Sequence, residues 1–203
     1  MFKLLFLLPI FLFSSEITAV KSDKIYLDKS YQKGKSGIVL CPYLNKKIIC
    51  ARFISYGSYA KLFPYKEVVN NSFARPNILP KKGDKVLFNF NYNRILIIAP
   101  NQKIYEHIKN LYQNLNIIPS DNLATYVDKF DKKNLLSFQR DLNIGRYIFY
   151  HKGNIFEIDA FSLYAIKKKK LKIYANYNGP FFTYLKNFGI KNINYLQIFK
   201  GIK

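Results

Sequence analysis

Gly83-Asp84-Lys85-Val86-Leu87-Phe88-Asn89-Phe90-Asn91-Tyr92-Asn93-Arg94-Ile95-Leu96-Ile97-Ile98-Ala99-Pro100-Asn101 is the stretch whose reading decides the fold. It holds two strands of different character. In the first, Val86, Phe88, Phe90 and Tyr92 alternate with Lys85, Asn89 and Asn91, Leu87 being the one exception, so one pleated face is apolar and the other polar. Ile95-Leu96-Ile97-Ile98-Ala99 is an unbroken apolar run, which suits a strand covered on both faces. Pro100 cannot donate to a ladder and stops it, and Asn101 is a good helix N-cap. The chain changes here from strands to helices. Earlier segments are expected to pack beside this central strand and later ones to cover it.

Upstream the signals are those of short strands and frequent turns. Residues 24–28 read as a first strand, Gly34-Lys35-Ser36-Gly37 as a turn, and residues 38–44 and 48–53 as a hairpin around Asn45-Lys46. A further short strand follows at 60–63, then an irregular connection rich in Asn and Pro up to Pro80. That pattern predicts a small, partly closed barrel or sheet. Downstream, Ile104, Ile108, Leu111 and Leu115 predict a helix over 102–115. Ser120 can cap a second helix with the face Leu123, Val127 and Phe130, and Leu135, Phe138 and Leu142 give a third. Residues 147–150 and 155–159 then read as a hairpin around Lys152-Gly153-Asn154, and apolar segments at 161–166 and 171–174 flank a lysine run. The expected fold class is α+β: a β-rich half over 20–100 sharing one core with an α/β half over 101–203.

Residues 1–19 read as an export signal rather than as fold. Lys3 gives a positive start, residues 4–13 an apolar run broken only by Pro9, and 14–19 a more polar segment, with cleavage expected after Ala19. The apolar run is shorter than the roughly 20 residues that cross a bilayer as a helix, and no later stretch reaches that length. The net charge is +21. In an exported protein it points to anions, membrane headgroups or acidic partners and away from nucleic acid. Cys41 and Cys50 would enter an oxidising compartment. If Asn45 and Lys46 form the turn, the two lie directly opposite on a non-hydrogen-bonded pair, about 4.5 Å apart at Cα, within disulfide reach. Pro42 lacks the N–H that this register uses.

Three sets of residues carry candidate chemistry. Glu157 and Asp159 lie two apart on one strand face, about 7 Å from each other, a spacing that can serve acid–base work on a sugar but also suits a solvated face. His107 and His151 have no nucleophile motif beside them, and the Gly-x-Ser-x-Gly, Walker A and His-Glu-x-x-His patterns are absent. No catalytic residue, cofactor or metal is therefore expected. Lys167, Lys168, Lys169 and Lys170, continued by Lys172, form the densest charge in the chain. They read either as a solvated hairpin tip or as a site for an anionic surface or an acidic partner. Lys203, the final residue, offers an ammonium and a terminal carboxylate together.

Gly83-Asp84-Lys85-Val86, Arg94, Leu96-Ile97-Ile98-Ala99-Pro100-Asn101 and Tyr105 resemble the N-terminal domain of bacterial plasminogen-binding proteins. So do Ser36-Gly37-Ile38-Val39, Ser120-Asp121, Ile144-Gly145 and Ile158-Asp159-Ala160-Phe161-Ser162. The resemblance implies a surface-exposed or periplasmic protein of a Gram-negative bacterium that captures host plasminogen without catalysis. It also implies a lysine-rich extension after this domain in longer members, so it leaves open whether the shared domain itself binds. The alternative from another class is a periplasmic structural or envelope-assembly factor whose barrel holds a protein or wall component. A hydrolase using Glu157 and Asp159 is the third reading.

Overall fold

In the computed structural model, residues 15–64, 78–126, 131–173, 175 and 195–202 are described. The expected helical residues Val127 and Phe130, the connection at 65–77, Tyr174, Lys203 and the apolar leader up to Ser14 lie outside them.

Six strands close a barrel: β1 (Ser15–Lys21), β2 (Lys24–Leu27), β3 (Ser36–Tyr43), β4 (Lys46–Ser55), β5 (Ala60–Pro64) and β6 (Lys85–Phe88), in the order β1-β2-β5-β4-β3-β6. The expected β-rich half is there, and the barrel is fully closed. Closure is made by β1, where Ser15 pairs with Val86 and Glu16 with Lys85. Ser15 and Ile17 are wholly buried, and Ile17 N–H donates to the Asp84 carbonyl at 3.0 Å. The expected boundary after Ala19 thus falls inside a barrel strand, and the polar segment read as the tail of a leader is fold. Alternation hid this, because Ser15, Ile17 and Ala19 show one face of a strand too short to stand out.

The hairpin of β3 and β4 turns at Leu44-Asn45 rather than at Asn45-Lys46, with Tyr43 opposite Lys46 and Pro42 opposite Lys47. Moving the turn by one residue puts Pro42 on a non-hydrogen-bonded pair, where its missing N–H is not needed. Cys41 then faces Ile48, not Cys50. A bulge leaves Cys50 unpaired between Ile49 and Ala51, and the disulfide joins Cys41 to it with Cα atoms 5.8 Å apart.

The second strand of the opening stretch belongs elsewhere. β7 (Arg94–Ile98) is in a five-stranded sheet of order β11-β10-β9-β7-β8, with β8 (Asn116–Ile118), β9 (Arg146–His151), β10 (Asn154–Asp159) and β11 (Ala165–Lys170). β8 and β9 run parallel to β7, and β10 and β11 continue antiparallel. The division between the halves therefore lies between β6 and β7, ahead of the expected residue 100. Among the described residues four helices accompany the strands: α1 (Gln102–Leu111), α2 (Asp121–Tyr126), α3 (Lys132–Asp141) and α4 (Tyr195–Ile198).

Asn101 caps α1, its side chain accepting from Ile104 N–H at 3.0 Å, and the helix stops at Leu111 instead of continuing to Leu115. Asp131 caps α3 in the same way at 2.8 Å. Ser120 does not cap through its side chain: its carbonyl accepts from Leu123 N–H, while its hydroxyl is buried without a hydrogen-bond partner.

The single shared core expected for the two halves is replaced by three clusters. One fills the barrel around Ile17, Ile25, Val39, Phe53 and Val86. A second lies between one face of the sheet (Ile95, Ile97, Ile148, Tyr150, Ile155) and α1 through Ile104 and Ile108. The third lies on the opposite face, where Leu96, Ile98, Tyr147 and Phe149 meet Leu123 of α2 and Leu135 and Phe138 of α3. The continuous run of β7 is buried on both sides, as its composition requires.

Candidate functional site

The lysine run is not a hairpin tip. Lys167, Lys168, Lys169 and Lys170 are four of the six residues of β11, the edge strand of the sheet, and all are exposed, as is Lys172 just beyond it. Register decides where they point. Lys167 and Lys169 lie opposite Glu157 and Ile155, and Lys168 and Lys170 opposite Phe156 and Asn154. Directly paired residues share a face, so the edge carries two lysines on each side of the sheet. Lys167 Nζ is 3.4 Å from Glu157 Oε1, and Lys168 Nζ lies 5.5 Å from the centre of the Phe156 ring. Among the described residues no carboxylate pairs with Lys169, Lys170 or Lys172. Sequence reasoning missed two further cations. Lys33 from the barrel and Lys200 near the C-terminus stand 5.8 and 5.2 Å from the ring centre of Tyr164, immediately before β11. Their separation in sequence left no local pattern to read.

Behind this edge runs a continuous polar network that contains both candidate carboxylates. Neither lies on a solvated face: Glu157 is buried and Asp159 wholly so. Glu157 accepts from Arg146 and from the Tyr112 hydroxyl at 3.0 Å. Arg146 also donates to the Tyr92 carbonyl through Nε and Nη2, at 3.0 and 2.7 Å. The Tyr92 hydroxyl in turn donates to Asp159. Asp159 further accepts from Ser36 N–H at 2.9 Å and Ser36 Oγ at 2.6 Å, and from the N–H groups of Phe161 at 3.0 Å and Ser162 at 2.8 Å.

Burial, followed by the Asp159 charge and hydrogen bond, raises the Tyr92 pKa far above its ordinary value. Burial and then Glu157 raise that of Tyr112. Both phenols therefore remain donors at any physiological pH. His151 is held below its ordinary value by burial and then by Lys152, while His107 is exposed on α1. Among the described residues no three His, Cys, Asp or Glu side chains gather as metal ligands.

Around Asp159 the barrel meets the sheet. Ser162 Oγ donates to the Gly34 carbonyl at 2.5 Å, and Gln32 Nε2 donates to the Ile166 carbonyl of β11 at 2.8 Å. Gly145 passes so close to Asn91 that a Cβ would sit 2.0 Å from its carbonyl oxygen, so only glycine fits. Arg94 caps the end of α3 by donating to the Leu142 carbonyl at 3.1 Å. Ser36, Asp159, Ser162, Gly145, Arg94 and Asn101 are among the residues on which the family resemblance rests, and each here holds a junction, a cap or a close approach.

The family described as "Plasminogen-binding protein pgbA N-terminal" matches residues 13–201. This chain belongs to that family. Plasminogen-binding protein PgbA of Helicobacter pylori strain J99 is 30% identical over 90 residues, which are 44% of this chain and 20% of that protein. The protein of the same name from strain 26695 is 28% identical over 107 residues, 50% of this chain and 24% of that protein. The aligned part thus spans about a fifth to a quarter of the length of these relatives. No solved structure matches the chain. No helix among the described residues is long and apolar enough to cross a membrane. β1 is the first element among the described residues, and the family match begins at residue 13.

Proposed function

We propose that this chain is an exported, non-enzymatic binding protein of the envelope or cell surface that captures plasminogen through its lysines. The relatives are named for that ligand. The observation that carries the reading is the edge strand itself: consecutive exposed lysines are fixed at strand spacing on a rigid sheet, and Lys167 is tied to the buried Glu157. A ligand meets cations whose backbone is already held in a strand, so little backbone freedom is lost on binding. Lys203 is the second contact in this reading. The absence of catalysis rests on Glu157 and Asp159. Each is buried and engaged by several donors in its own part of the network, so in this reading both serve the fold rather than chemistry.

Plasminogen pull-down with and without a lysine analogue tests the proposal. Replacing Lys167, Lys168, Lys169 and Lys170 with Gln should lower capture by about tenfold or more, with steep salt dependence in the parent and almost no change in melting temperature. Replacing Lys203 with Gln measures its share. Undiminished capture after both changes would sink this assignment, and retention on envelope material instead would favour a structural role.

A further inference from the structure

The hairpin of β3 and β4 reaches past the barrel it belongs to. These are the longest strands described, of 8 and 10 residues. β6 pairs with β3 only at Gly37, Ile38, Val39 and Leu40, and β5 pairs with β4 only from Ala51 to Ser55. Between Cys41 and Cys50 the two strands have only each other among the described residues. The disulfide sits at the base of this arm and closes it into a loop. A two-stranded arm is marginally stable on its own, and a covalent staple compensates by restricting the chain's unfolded conformations.

The tip of the arm is apolar and cationic. Leu44 is 86% exposed and Tyr43 42%, and Pro42, Lys46 and Lys47 are exposed beside them. Tyr43 is paired with Lys46 and Pro42 with Lys47, so each face of the arm carries one apolar residue next to one lysine, with Leu44 at the apex. Leu44 has φ +51°, in the left-handed region that suits Gly or Asn. Turn formation alone would therefore not select leucine here. A large exposed apolar side chain held in a conformation it disfavours points to an external contact.

We propose that this arm docks on an anionic phospholipid surface, with Leu44 and Tyr43 entering the headgroup–acyl boundary and Lys46 and Lys47 meeting the lipid phosphates. The size of the tip favours a bilayer over a protein. A specific protein interface buries on the order of 1,000 Å² or more, which two apolar side chains on a narrow arm cannot supply. A bilayer interface needs only a few apolar side chains, plus lysines for anionic headgroups. Tyrosine suits that depth because its ring is apolar and its hydroxyl stays wet. The arm is separate from the lysine edge strand, and the proposal does not depend on plasminogen capture.

Co-sedimentation tests it, using residues 14–203, which keep every described element, with vesicles of phosphatidylcholine alone or mixed with phosphatidylglycerol. The chain should sediment with the mixed vesicles and not with phosphatidylcholine alone. Leu44→Gly changes no charge and relieves the left-handed turn, so it should fold at least as well while partitioning about tenfold more weakly. Lys46→Gln with Lys47→Gln should weaken partitioning by a similar factor and flatten its salt dependence. Melting temperatures of both variants, measured beside the parent, separate lost docking from lost folding. Two results would overturn the proposal: Leu44→Gly sedimenting like the parent, which leaves only diffuse attraction by the strongly basic chain, or the parent staying in solution with both kinds of vesicle.

Discussion

Asp159 accepts hydrogen bonds from Ser36 of the barrel, from Tyr92 of the connection between the sheets, and from the backbone of Phe161 and Ser162. A wholly buried carboxylate held by this many donors fixes the position of one sheet against the other. Removing it leaves those donors unpaired in a buried site, each at a cost comparable to a lost hydrogen bond or more. Asp159→Ala should therefore lower unfolding free energy by about 3 kcal/mol or more, measured from urea midpoints. A loss below about 1 kcal/mol would mean that the junction is held by packing alone. Period-two spacing correctly put Glu157 and Asp159 on one strand face. It could not say what covers that face, since the covering groups, Ser36, Tyr92 and Arg146, come from distant parts of the chain.

At the scale of elements, β1 carries the sharpest consequence. It pairs with β2 on one side and β6 on the other, so without it the barrel has two open edges. A chain starting at Val20 loses the pairs of Ser15 and Glu16 and the buried Ile17, whose side chain alone contributes about 2 kcal/mol or more. It should unfold at much lower urea than a chain starting at Ser14, and N-terminal sequencing of processed protein should find a start at or before Ser15. A processed start at Val20 with undiminished stability would contradict the pairing of β1. Element type was most legible where a pattern was long: the apolar run of β7 and the stripes of α1 and α3. It failed at β8, a three-residue strand just past the expected helix that sequence reasoning missed, and at β11, because a run of lysines has neither the alternation nor the propensity of a strand. There the backbone ladder to β10 wins over propensity, and the charged side chains, standing on an edge, remain in water.

For the molecule as a whole, the buried phenols set an alkaline limit. The pKa values of Tyr92 and Tyr147 are raised, by burial first in both cases and for Tyr92 also by Asp159, and that of half-buried Tyr112 is raised less securely because solvent screens it. A group whose folded pKa lies above its unfolded value stabilises the fold below the unfolded pKa and loses that contribution as pH rises. The unfolded chain ionises these tyrosines near 10.0 while the folded chain keeps them protonated. Stability should thus fall above about pH 10, by about 1.4 kcal/mol per pH unit for each fully buried phenol. Absorbance titration of the 17 tyrosines should show at least two that ionise only with unfolding; if all ionise together in the folded state, the burial of Tyr92 and Tyr147 is wrong. The sequence by itself determined the basic charge, the β-rich start, the helices with long apolar stripes and the family. The first three depend on composition and on periodicities within a few turns of chain, which act before any tertiary contact forms, and the family on its matching strings of residues. Only the tertiary structure decided that the two strands of the opening stretch belong to different sheets, that the lysine run is an edge strand, and that Asp159 joins the halves. Closing a barrel and pairing β7 with β9 bring together residues tens of positions apart, and the free energy of those contacts depends on which partners meet rather than on any local pattern.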